Sequence, residues 1–118
     1  MAEYFLYFNQ QWVGEHTSEW FASRGPLAEG VVEEMKEAGV YLFAGGLEEG
    51  GPVWSVDPTG EAVVVTDGPY VETKEFLGGF AVVDVPDEQS ALVWAQKISQ
   101  ACGWPHEVRR FGRMPELD

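Results

Sequence analysis

The chain has 118 residues, 45% of them hydrophobic, with seven Lys or Arg against twenty Asp or Glu and a net charge of −13. That length suits one domain with a single core, so residues 1–118 are read as one unit. So acidic a chain is repelled by phosphate backbones and anionic lipids, which argues against nucleic-acid and membrane partners, and no run approaches the roughly 20 apolar residues of a membrane helix. Met1-Ala2-Glu3-Tyr4 lacks the basic patch and apolar core of a signal peptide, so a cytoplasmic location is expected. Cys102 is the only cysteine and excludes an internal disulfide; with no base beside it in the sequence, it reads as a packed, inert thiol.

In chain order, Glu3–Phe8 is aromatic and β-favouring, and too apolar on both faces for a free edge, so a central strand is expected. Asn9–Gly14 reads as a loop in which Trp12 is a lid over a cavity or a plug at a subunit contact. A short helix starts after Thr17 or Ser18 as cap, and Gly25-Pro26 is expected to interrupt it. Pro26 then opens a second helical segment whose Leu27, Val31, Met35 and Ala38 mark one buried face, ended by Gly39. Val40–Ala44 is a second strand. Val53–Val56 and Glu61–Val65 flank Asp57-Pro58-Thr59-Gly60, a sequence suited to a type I hairpin turn. Phe76–Val85 is a long strand in which Gly78-Gly79 allows a bulge or a close backbone contact. Asp87 opens the clearest helix, with Ala91, Leu92, Ala95, Ile98 and Cys102 on one face, Gly103 capping its end and Pro105 preventing continuation. Glu107–Phe111 is an edge or pairing strand.

The order is βαββαβ with an added hairpin: an α+β, ferredoxin-like arrangement with both helices on one sheet face. The other face is left bare. Five Trp, four Tyr and seven Phe are many for so small a domain, and pairing two open faces would bury them, so a homodimer through the open sheet face is expected.

The stretch Val65-Thr66-Asp67-Gly68-Pro69-Tyr70, followed by Glu72-Thr73-Lys74-Glu75 and Leu77-Gly78-Gly79-Phe80, resembles the signature of the YCII-related family. More narrowly it is similar to the DGPF-domain branch, with Tyr70 in place of the usual Phe. Val83-Asp84-Val85-Pro86-Asp87, the helix with Ala91, Trp94 and Ala95, the late Glu107-Val108-Arg109 and the first strand with Tyr7 also resemble the family. The resemblance implies a dimeric α+β barrel. The wider fold group it points to includes small isomerases, dehydrochlorinases and cofactor-free monooxygenases, and some members resemble partners of alternative sigma factors. Some YCII relatives are proposed to use a His–Asp pair, onto which neither His16 nor His106 maps.

Asp67 builds a turn or acts as a general base at the mouth of a cleft. Glu72, Lys74 and Glu75 form a solvated salt-bridging segment, or Lys74 neutralises an anionic substrate while Glu72 handles a proton and Thr73 lends a hydroxyl. His16 is the better histidine for proton transfer, and otherwise a surface or capping residue; His106 packs or faces solvent. Tyr7, Trp12 and Tyr70 line a pocket for a flat apolar molecule, or belong to the core and the dimer interface. The catalytic candidates are therefore Asp67, Glu72, Lys74 and His16, and the substrate-binding candidates Tyr70, Thr73, Tyr7 and Trp12. No cofactor motif and no metal-ligand spacing is present. Two functions stand side by side: a small-molecule site near Asp-Gly-Pro-Tyr supporting cofactor-independent proton transfer, and a non-catalytic interaction module in transcriptional control.

Overall fold

A computed structural model describes residues 2–69 and 76–112. Its strands are β1 (Ala2–Asn9), β2 (Tyr41–Gly46), β3 (Trp54–Asp57), β4 (Val64–Asp67), β5 (Leu77–Val85) and β6 (Glu107–Arg110), and its helices α1 (Ser18–Glu37) and α2 (Glu88–Cys102). Four strands form an antiparallel sheet in the order β2-β5-β1-β6, and β3 and β4 form a separate two-stranded one. The fold is α+β, and the strand order is compatible with a ferredoxin-like arrangement. β1 is central and β6 lies at an edge, as their compositions predict. No helix among the described residues is long and apolar enough to cross a membrane.

Strand alternation sorts the sheet's side chains between two faces. Tyr4, Leu6, Ala81, Val83 and Val85 point toward the helices and meet Val31 and Met35 of α1 and Ala91, Ala95 and Ile98 of α2 in one core. Phe5, Tyr7 and Phe80 alternate to the opposite face. There the Phe5 ring lies 4.9 Å from Tyr7, 5.1 Å from Phe80 and 5.8 Å from Phe111, and Phe43 is 56% exposed.

Several local expectations hold. Thr17 caps α1 by accepting from the Trp20 N–H at 3.1 Å, and Asp87 caps α2 by accepting from the Ser90 N–H at 2.8 Å. Gly103 ends α2 with φ 95°, a left-handed value that a side chain rarely adopts. Opposite Phe8 the register of β5 skips a residue, and a Cβ added to Gly79 would lie 2.9 Å from the Phe8 ring and 3.1 Å from the Gly45 carbonyl oxygen. The two glycines thus supply both a bulge and a close contact.

Three expectations are corrected. α1 runs unbroken from Ser18 to Glu37 through Gly25-Pro26. Proline costs a helix one hydrogen bond, here the one to the Ala22 carbonyl, and the burial of Val31 and Met35 beyond it outweighs the loss. Leu27, expected in the buried face, is 50% exposed because the stripe narrows to Val31 and Met35. In the hairpin, Asp57 pairs with Val64, so the connection is longer than a four-residue turn. Asp57 Oδ1 accepts from the Thr59 N–H at 2.9 Å and the Thr59 hydroxyl at 2.6 Å, which closes a side-chain turn and delays the return strand.

Candidate functional site

A cavity of about 560 Å³ opens between α1 and the helix-facing side of the sheet, at the end where α2 gives way to β6. β1 supplies Phe8, whose ring fits because Gly78 and Gly79 across from it carry no side chain. α1 supplies Arg24, the end of α2 supplies Cys102, and the segment after it supplies Trp104 and His106. The aromatic wall is continuous: Phe8 lies 5.0 Å from Trp104 and 5.2 Å from His106, and Trp104 lies 6.1 Å from Trp20. The guanidinium carbon of Arg24 sits 4.7 Å above the Trp20 ring, a stacking that holds a cation at the wall.

The polar groups here are unevenly satisfied. Arg24 Nε and Trp104 Nε1 are both buried donors with no acceptor among the described residues. A donor buried unpaired costs on the order of 1–3 kcal/mol. Arg24 also has no carboxylate partner among the described residues. His106 Nδ1 lies 3.1 Å from the Trp104 carbonyl oxygen. A carbonyl only accepts, so in the neutral ring that contact assigns the proton to Nδ1 and leaves a lone pair on Nε2. Burial pushes the His106 pKa below its ordinary 6.5, against the opposing pull of the Trp104 and Pro105 backbone contacts. Burial likewise pushes the Cys102 thiol up to about 11, with Arg24 opposing. Cys102 is therefore a neutral wall atom and not a nucleophile.

The residues singled out in the sequence fall in separate places. His16 stacks on Trp20 at 3.6 Å, and its Nε2 meets the Val13 carbonyl oxygen at 3.0 Å, so it props the aromatic wall from outside the cavity lining. Tyr7 lies on the open sheet face, where its hydroxyl donates to Glu107 at 2.7 Å. Trp12 ends a single 3₁₀ turn, Gln10–Trp12, and is half-buried. Asp67 is exposed at the end of β4, paired with Trp54, and the Gly68 N–H donates to the Val53 carbonyl at 2.7 Å. Tyr70, Glu72, Thr73 and Lys74 lie outside the described residues. A second hollow of about 860 Å³ does lie beside this motif, lined by Pro69, Trp54, Phe76 and Gln10 among others.

Arg24 and Trp104 were not among the sequence candidates. The available signal was charge contrast: Arg24 is one of seven cations in the chain and stands one turn after Trp20. No curated protein matches the chain. Residues 23–104, more than half of the chain, match the model of the YCII-related domain, and the chain belongs to that family.

Proposed function

We propose that this YCII-family protein binds a flat, anionic small molecule in the cavity between α1 and the sheet. The observation that carries the reading is an aromatic cavity lined by Arg24, a cation with no carboxylate partner among the described residues. A ligand carboxylate can pair with the Arg24 guanidinium while the ring system stacks on Phe8 and Trp104. His106 then stands ready as a proton acceptor through Nε2, because its lowered pKa keeps the ring neutral at physiological pH. The chemistry this supports is cofactor-independent proton transfer at a carbon made acidic by the ligand's own carbonyl or ring. The favoured cavity differs from the Asp67 motif named from the sequence; Asp67 remains a candidate near the second hollow beside Pro69.

We further propose that two open sheet faces pair to give the dimeric α+β barrel of the DGPF branch. The support is the aromatic cluster of Phe5, Tyr7, Phe80 and Phe111 on that face. The interaction-module reading has its own support in the exposed apolar hairpin, where Trp54 is 60% exposed.

A calorimetric titration with substituted benzoates and their amides tests the first reading. Wild type is expected to bind the acids over the amides. Arg24→Gln should weaken binding by roughly 10- to 100-fold, the worth of a hydrogen bond to a charged group. Trp104→Phe should weaken it less, and His106→Gln should leave binding intact while abolishing the protein-catalysed deuterium exchange at the C–H beside the carbonyl of an aryl keto acid offered in place of the benzoate. Equal affinity of wild type and Arg24→Gln for every acid removes the cavity as the site.

A further inference from the structure

The lining of the α1 cavity is polarised along the helix. Arg24, Ala28, Val32 and Lys36 recur every four residues and all line it, so one ridge of α1 runs its length. Arg24 is half-buried beside the aromatic wall. Glu29 and Glu33 line the same cavity and are exposed, so they stand at its mouth. The Lys36 ammonium lies 3.3 Å from Glu33 Oε1 and 5.1 Å from the centre of the Tyr41 ring, which commits it to Glu33. Glu29 has neither an ion pair nor a hydrogen bond among the described residues. The mouth is left with one negative charge in excess.

A simple anion is poorly served by this arrangement. It gains the Arg24 guanidinium inside, but it must pass Glu29 to enter a chain of net charge −13. Once bound it stays within reach of the same carboxylate. Glu29 follows Arg24 by five residues, about 7.5 Å along the helix axis, which is about one Debye length at physiological salt. An ammonium held at that distance from the ligand's own carboxylate turns the repulsion into an attraction. The span has room for a linker: Ala28, one turn on from Arg24, and Ala44, Gly45 and Gly46 of β2 line the cavity with small side chains and no charge.

We infer that the ligand of this cavity is a zwitterion: a flat acid whose carboxylate pairs with Arg24 and whose far end carries an ammonium paired with Glu29. The inference rests on the acid site proposed above and narrows its ligand to one chemical class. Glu29 is the residue that sets the choice, since Glu33 already has Lys36.

Calorimetric titration of the full chain with 4-(aminomethyl)benzoate and 4-ethylbenzoate tests it, because the two acids share a shape and differ by an ammonium in place of a methyl group. Wild type is expected to bind the aminomethyl acid about fivefold more tightly, the upper worth of an exposed ion pair. In Glu29→Gln the preference should shrink to about twofold or less, because the aminomethyl acid loses affinity while the ethyl acid, freed of repulsion, gains it. Added salt should narrow the wild-type preference in the same direction, a readout that needs no variant. Wild type that binds the two acids equally or favours the ethyl acid overturns the zwitterion; the acid site itself then stands if Arg24→Gln still weakens both. A preference that Glu29→Gln or added salt leaves undiminished overturns the ion pair at the mouth. Acids that do not bind, or that bind Arg24→Gln as tightly as wild type, overturn the acid site and the inference with it.

Discussion

His106 holds its proton on Nδ1 toward the Trp104 carbonyl, and the surrounding rings withhold the water that would stabilise a second proton. The direction of its pKa shift fixes a pH dependence. Above 6.5 the group is neutral in both folded and unfolded chains and contributes nothing. As pH falls below 6.5 the unfolded chain takes up the proton first, so stability declines until the lowered folded value is passed. Melting temperatures of wild type and His106→Gln are therefore expected to run parallel above 6.5 and diverge below it, the wild type losing more. An NMR titration of the imidazole should place its pKa below 6.5, and Phe8→Ala should move it back upward by admitting water. Parallel melting curves down to the acid limit would contradict the burial argument.

At the scale of the element, Thr17 governs the half of α1 that carries Trp20 and Arg24. Thr17→Ala removes the oxygen that accepts the Trp20 N–H and should cost about 1 kcal/mol of stability in denaturant unfolding. Because that turn seats Trp20, on which Arg24 stacks, benzoate affinity should fall with it, although Thr17 is not among the cavity's lining residues. The caps Thr17, Asp87 and Gly103 were legible in the sequence because each acts within a few residues of itself. The continuity of α1 through Gly25-Pro26 was not, since a local rule favours a break there and only the contacts of Val31 and Met35 with the sheet oppose it. The cavity was hidden for a related reason. Phe8, Arg24 and Trp104 are far apart in the chain and meet only once β1, α1 and the end of α2 are assembled. The Asp67 motif drew notice because its chemistry is contiguous, but adjacency in sequence does not make a cavity.

For the whole molecule, the βαββαβ order already implied a sheet with one face covered by helices and one left bare, and the structure shows that division. The acidic charge makes a prediction about association that the apolar contacts alone do not. Two copies paired through the open sheet face as proposed above, each carrying −13, repel at long range. Added salt screens that repulsion, so the dimer dissociation constant should fall as ionic strength rises, and the melting temperature should climb with protein concentration. Dissociation that strengthens with salt would mean that attractive charge pairs hold the copies together.

The proline inside α1 has a consequence for how a ligand enters and leaves. Pro26 leaves the Ala22 carbonyl without its helical donor, so the chain of backbone bonds is weakest between residues 18–25 and the remainder of the helix. Beyond that point Val31 and Met35 anchor α1 in the core; before it, the helix rests on the aromatic wall, and Phe21 is 38% exposed. The least costly opening of this helix is therefore the detachment of its first two turns, which carry Arg24 away from Trp104 and uncover the cavity while the core stays closed. The residence time of a ligand bound as proposed above would then depend on the fraying of one half-helix, and a substitution at position 26 that restores the missing bond would slow both capture and release without altering a single wall residue.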